Sequence, residues 1–256
     1  RTGDDSVVVK SGRDRDGREI NRPSEHVVVR HNDMGGEDGI ALGSEMSGGI
    51  RHVWFTDNVL RKGASAIRFK ANLDRGGTVE HIRVRNFTVE AFDNLFWFQL
   101  DYPGQLGGNF PSTYRDIVFE NFTVERAGTV FNGDAPAAAP LRDVTLRNVN
   151  IKQADRTFIL KNVEGLKLEN VRIGGQRVDA IGHMVLADRA DREPVIEGQR
   201  EIARRHEQGG QRDRAAFGRF RPDMADAEPA GRTVGGEQLR RADRQEVARL
   251  VAGYRE

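Results

Sequence analysis

Two adjacent carboxyl side chains, Asp4 and Asp5, stand just ahead of an apolar run, Val7-Val8-Val9. Hydrolysis of a glycosidic bond uses two carboxyl groups, one to protonate the leaving oxygen and one to activate water or attack the sugar. An inverting arrangement separates them by roughly 6.5–9.5 Å to admit the water. Like charges held together also push one pKa upward, which suits a general acid. An Asp-Asp pair alone is more commonly a solvated turn. Further along lie a second acidic pair, Glu37-Asp38, and the strand-like Ile67-Arg68-Phe69-Lys70. Residues two apart on a strand face the same side. Arg68 and Lys70 would then offer a planar fork and a point charge to an acidic ligand. A solvated cation pair is the plainer reading. Asp4, Asp5, Glu37 and Asp38 could also imitate a Ca²⁺ cluster, as eliminating (lyase) chemistry with an Arg base would need. Removing Ca²⁺ with a chelator separates that reading from hydrolysis.

The elements that would position these groups are visible as internal repeats. One segment, an apolar alternation ending in Asn, occurs at His81–Phe87, Asp116–Phe122, Asp143–Val149 and Gly165–Val171, with looser copies starting at Val27 and Val53. A second segment lies between the copies: Asp5–Val9, Asp38–Leu42, Ser65–Phe69, Asp93–Trp97 and Arg156–Leu160. One pair takes roughly 22 to 35 residues, in the range of one solenoid coil. The segments are short, alternate with period two, and are bounded by Gly, Asn or Asp, as strands are. No convincing amphipathic helix separates them, which argues against crossover helices. The expected fold is therefore all-β, a right-handed parallel β-helix. In it the repeated Asn forms a ladder from coil to coil. A sandwich of regularly spaced strands would leave that Asn without a role.

Stacking the second segments places Asp5, Asp38 and Ser65 in one column and Asp4 and Glu37 in the next. Val8, Ala41 and Arg68 share a third, and Lys10, Gly43 and Lys70 a fourth. Neighbouring strands lie about 4.8 Å apart, so acids and bases from three coils converge on one patch.

The repeat stops near Val178. From 179 to 256 lysine is absent, and Arg, Ala, Asp, Glu, Gln and Gly dominate. This stretch reads as an irregular polar tail, disordered or loosely helical, or as out-of-frame sequence. The 256 residues carry 37 % apolar and 31 % charged side chains, a net charge of +1 and no cysteine. That balance favours neither nucleic acid nor a membrane surface, and it excludes disulfides and thiolate metal sites. A monomer is expected.

The motif Thr2-Gly3-Asp4-Asp5-Ser6-Val7-Val8-Val9-Lys10-Ser11-Gly12 resembles the Gly-Asp-Asp motif of glycoside hydrolase family 28 and the strand that follows it. Gly39 to Gly49 resembles the strand after the family's Gly-His-Gly motif, and Ile67-Arg68-Phe69-Lys70 its Arg-Ile-Lys motif. The insertion at 12–25, Gly76-Gly77 and Tyr102-Pro103-Gly104 resemble the bacterial exo-polygalacturonase branch. The resemblance covers residues 1–178. It implies inverting hydrolysis of α-1,4-galacturonan without metal or cofactor, with exo action as the branch's property, in a secreted or periplasmic protein whose partner is a pectic polysaccharide. It implies Asp4 as general acid, Asp5 as part of the base, and Glu37 at the place of the family's His. It further implies Arg68 and Lys70 as substrate-binding residues, and the stacked columns add Lys10 and Asp38, with Tyr102 on its loop, to the substrate-binding set.

Two departures stand out. The family has another catalytic Asp about one coil earlier, so a chain opening at Arg1 is expected to lack it and to be nearly inactive. Gly36-Glu37-Asp38 stands where the family has Gly-His-Gly. Glu37 beside Asp4 would raise one carboxyl's pKa, or would change substrate preference. The alternatives are hydrolysis of another acidic pectic glycan such as rhamnogalacturonan, and a non-catalytic glycan-binding β-helix. Among Trp97, Phe98, Tyr102 and Phe110, Tyr102 is the preferred sugar-stacking residue, and one of Trp97 and Phe98 is expected in the core.

Overall fold

The computed structural model describes residues 2–178; the polar stretch 179–256 lies outside the described residues. The order is β1 (Val7–Val9), α1 (Asp14–Ile20), β2 (Ser24–Arg30), β3 (Asp33–Met34), β4 (Asp38–Gly43), β5 (Ile50–Lys70), β6 (Thr78–Gln99), β7 (Thr113–Asp134), β8 (Leu141–Arg142), β9 (Val144–Lys161), β10 (Val163–Glu164), β11 (Lys167–Ile173) and β12 (Gln176–Val178). Neighbours pair parallel from β1 through β4, β5, β6, β7 and β9 to β11. Each long strand is one coil of a parallel β-helix. Val27, Val53, Ile82, Ile117 and Val144 stack in one column, and Ile40, Ile67, Phe96, Phe131 and Phe158 in another.

A strand of 21 or 22 residues cannot run straight across so small a body. It turns a corner inside its own length. The corner is the repeated Asn position. Asp57, Asn86, Asn121, Asn148 and Asn170 all have φ between 52° and 60°, the left-handed region that Asn and Asp tolerate. Their side chains form the expected ladder. Asn86 Nδ2 donates to Asp57 Oδ1 at 2.9 Å, Asn121 to Asn86 at 2.9 Å, Asn148 to Asn121 at 3.1 Å and Asn170 to Asn148 at 2.9 Å. Inside, aromatic rings stack between coils, Phe69 on Phe98 at 4.4 Å and Phe87 on Phe122 at 5.1 Å. Phe98 is in the core, while Trp97 faces outward and is half-buried.

Three local readings change. Ser65 pairs with Asn94, so the inter-Asn segment of that coil is Asn94–Phe98, one residue later than Asp93–Trp97. The next coil contributes Thr129–Gly133, which repeat matching passed over because Gly133 occupies an otherwise apolar column. The insertion holds a short helix, α1. Asp14 and Asp16 sit in its first turn, Arg15 pairs with Glu19 at 2.6 Å, and Asn21 ends it in the left-handed region. An antiparallel hairpin, β11–β12, ends the described sheet.

Asn121 both donates and accepts in the ladder while holding a left-handed φ. Replacing it with Ala should cost about 1–2 kcal/mol, and with Gly less, because Gly keeps the conformation without strain. Urea-unfolding midpoints of the two variants check this. Equal losses would mean that the backbone conformation contributes nothing.

Candidate active site

The site lies where β1, β4 and β5 run side by side. Val8 pairs with Ala41 and Ala41 with Arg68, and Gly43 pairs with Lys70. These are the columns expected from the sequence. Lys70 Nζ donates to both Asp5 oxygens, at 2.8 and 2.9 Å, and lies 3.4 Å from Asp38 Oδ2. Arg68 Nη1 donates to Asp38 Oδ2 at 3.0 Å, and the Ser65 hydroxyl donates to Asp38 Oδ1. The other end of the Arg68 guanidinium reaches Gln99 Oε1 at 2.5 Å and lies over the Trp97 ring, 4.2 Å from its centre. Four coils thus supply one hydrogen-bonded cluster, with Asp38 almost fully buried at 1 % exposure.

The two carboxyls at its centre are pushed apart in acidity. Burial raises Asp5 to about 6; Lys70 opposes the rise and Asp38 reinforces it. Burial acts upward on Asp38 too, but the Arg68 charge and the hydrogen bonds from Ser65 and Asp5 outweigh it and hold Asp38 below the ordinary carboxylate range. In weakly acidic solution the pair holds one proton, on Asp5. This is the separation of acidities by which neighbouring carboxyls take different roles.

Asp4 stands exposed at the lip. Its Oδ1 accepts the Asp5 backbone N–H at 2.8 Å, and its carbonyl accepts the Thr2 hydroxyl at 2.7 Å. Gly36 lets this lip approach, since a Cβ there would meet Thr2 Oγ1 at 2.3 Å. Glu37 is half-buried, and its carbonyl takes the N–H groups of Ala64 and Ser65 at 2.7 and 3.1 Å. The neighbouring carboxyl that acts on Asp5 is Asp38. Lys10 is engaged by Glu45 at 2.7 Å. Tyr102 lines a polar hollow of about 200 Å³ with Arg13, Glu45, Asp74, Arg75 and Gln105.

Asp74 shapes the wall of that hollow. Its carboxylate accepts three backbone N–H groups, from Gln105 at 2.7 Å, Leu106 at 3.0 Å and Gly108 at 2.7 Å. Bonds from Leu106 and Gly108 hold its pKa below the ordinary range. Buried Arg75 ties the wall to the insertion through Asp14 and to the Ser44 carbonyl at 3.0 Å. Sequence reasoning placed Ser65 in the column of Asp5 and Asp38 but missed Gln99, Asp74 and Arg75 as contributors. Gln99 was legible in principle, because it follows Lys70 in its column. The one-residue misalignment of that coil put Phe98 in its place. Among the described residues no group of three or more His, Asp or Glu side chains is placed to hold a metal ion.

The raised Asp5 pKa fixes a sign. The folded state holds a proton on Asp5 up to about pH 6, whereas the unfolded chain releases it near the ordinary value of 3.8. Stability from this group is therefore full below about pH 4 and is lost as pH rises to about 6. Asp5→Asn should flatten that decline, read from urea midpoints across the same window. An unchanged slope would place the proton elsewhere.

Three comparisons bear on this arrangement. The family model described as Glycosyl hydrolases family 28 matches residues 1–172. A probable polygalacturonase of Vitis vinifera is 32 % identical over 180 residues, 64 % of this chain and 36 % of that protein. An endo-polygalacturonase of Pectobacterium parmentieri is 28 % identical over 162 residues, 63 % of this chain and 38 % of its own length. A hyperthermoactive exopolygalacturonase from Thermotoga maritima superposes with a TM-score of 0.64 at 31 % identity, over 69 % of this chain and 40 % of that one. The fold is accordingly the right-handed β-helix. The chain spans well under half the length of these relatives. With the family pattern matching two-thirds of its length and the same motifs stacked on one sheet face, the chain belongs to glycosyl hydrolases family 28.

Proposed function

We propose that this sheet face belongs to an enzyme that hydrolyses α-1,4-galacturonan by an inverting, two-carboxyl mechanism, in exo fashion and outside the cytoplasm. The observation that carries the reading is the cluster of Asp5, Asp38, Arg68 and Lys70, drawn from three coils beside the exposed carboxyl of Asp4. The named relatives act on polygalacturonate by their descriptions, and one is an exopolygalacturonase. Among the described residues no helix is long and apolar enough to cross a membrane.

In this reading Asp4, open to solvent at the lip, gives its proton to the leaving oxygen. Asp5, hydrogen-bonded to Lys70, helps hold the attacking water once ionised. Arg68 and Lys70 bind the carboxylate of a galacturonate unit, the guanidinium by paired N–H bonds and the ammonium as a point charge. Asp38 positions both cations. Trp97 and Gln99 set the plane of the Arg68 guanidinium before substrate arrives, which lowers the ordering cost of binding. Lys10 and Tyr102 flank the cleft, and Glu37 stands at its lip. Glu37 also motivates a second reading, in which the polymer is another acidic pectic glycan.

Reducing-end release from polygalacturonate, by the chain extended with the upstream coils of a family relative, tests the proposal, with oligogalacturonate affinity measured in parallel by calorimetry. Asp4→Asn should lower release roughly 10²–10⁴-fold, the scale of general acid catalysis, while leaving affinity nearly unchanged. Arg68→Lys should weaken affinity about tenfold, because a fork is replaced by a point charge. Folded protein that neither binds oligogalacturonate nor releases reducing ends would overturn the proposal. Binding with no release sensitive to Asp4 would leave a glycan-binding module.

A further inference from the structure

The outward face of the sheet does not end at Arg68 and Lys70. Its columns continue into the next coils. Lys70 is followed by Gln99, Asp134 and Lys161, Arg68 by Trp97, Asn132 and Ile159, and Ser65 by Asn94, Thr129 and Arg156. A pyranose ring is about as long as the coil step of about 4.8 Å. A chain anchored on Lys70 and running along the axis therefore lays its next units over these side chains.

The chemistry of this stretch differs from that of the Arg68–Lys70 coil. Asn132 donates to Asn94 Oδ1 at 3.1 Å, giving a linked pair of amides beside the half-buried indole of Trp97. Lys161, the lysine of these columns beyond Lys70, is held 2.8 Å from Asp134 and is faced by Asp101 at 4.0 Å. Two carboxylates thus surround one ammonium, and all three side chains are part-exposed. Arg156 stands one coil beyond Thr129, in the outer column. A free uronate carboxylate laid over Gln99, Asn132 and Asp134 would meet no unengaged lysine and two like charges. An uncharged ring would meet an aromatic edge and amide donors and acceptors.

Building on the galacturonan reading, we propose that the part of the cleft formed by Trp97, Gln99, Asn94, Asn132 and Asp134 is a binding position for an uncharged pyranose, a methyl-esterified galacturonate above all. The Asp101–Asp134–Lys161 group is its specificity determinant. The preferred ligand then has a free carboxylate at Arg68 and Lys70 and a masked one on the C-terminal side. The discrimination is electrostatic and exposed to solvent, so it is modest, roughly three- to fivefold per charge, and it weakens with salt.

The test compares calorimetric affinities of the chain for trigalacturonate and for partially methyl-esterified trigalacturonate of the same length. A third ligand carries neutral galactose in place of one galacturonate. The wild-type chain should favour the esterified form over the free acid by roughly three- to fivefold. Asp101→Asn with Asp134→Asn should abolish or reverse that preference, and Lys161→Met should enlarge it. Circular dichroism of each variant excludes unfolding as the cause. Equal gain for the galactose ligand identifies charge exclusion as the whole effect, and gain for the ester alone identifies recognition of the methyl group; both support the proposal. Affinities for free acid and ester that stay equal in wild type and in both variants would overturn it while leaving the galacturonan reading intact. No affinity for any of the three ligands would overturn both.

Discussion

Parallel stacking of one coil on the next, in fixed register, is the constraint from which the rest of this structure follows. A coil has no hydrophobic interior of its own. Its inward Ile, Val and Phe side chains are buried only when the coil above repeats them at the same positions. The register must hold to a single residue, because a slip by one exchanges inward and outward faces. The amide ladder along Asp57, Asn86, Asn121, Asn148 and Asn170 supplies that precision. It sits at the corner where each strand turns, so it fixes register and bend together. Asp57 can only accept, which suits the first rung.

The outer surface adds a second register lock. Glu25 faces Arg51, and Glu80 faces Arg115, in one column. Arg61 faces Glu90 in another and reaches Asp33 diagonally, and Arg85, Glu120, Arg147 and Glu169 alternate in a third. Each exposed pair contributes little. Their value lies in the arrangement, since a slip in register takes each acid away from its base. Alternating charge down a column is thus a device for specificity more than for stability.

These two devices also explain what could be read from the sequence. The Asn repeat is a local signal repeated along the chain, so coil stacking and the columns of Asp5, Asp38, Arg68 and Lys70 were legible before any coordinates. Asn94–Phe98 was misplaced by one residue because Asp93-Asn94 offers two polar starts and Phe96-Trp97-Phe98 no alternation to choose between them. That single error hid Gln99 and the stacking of Arg68 on Trp97. The partners of Asp74 and Arg75 were hidden for another reason. The Asp74 carboxylate is held by backbone N–H groups of a loop and Arg75 in part by a loop carbonyl, and side-chain identity carries no information about where a loop's backbone will point.

The site breaks the rule that the outer columns obey. In those columns an acid faces a base one coil away and both remain partly in water. At Asp5 and Asp38 two acids face each other, one of them buried, and they are held by two cations from a single strand. Unpaired, such burial would be severely unfavourable. Here it is sustained because Lys70 reaches both carboxylates and Arg68 is itself fixed by Gln99 and Trp97. The consequence is a proton whose affinity is set near the middle of the weakly acidic range. A solenoid is well suited to produce this. Its columns hold side chains at a fixed spacing whatever their chemistry, so a like-charged pair that a flexible loop would relax apart is kept together by the coils beneath it.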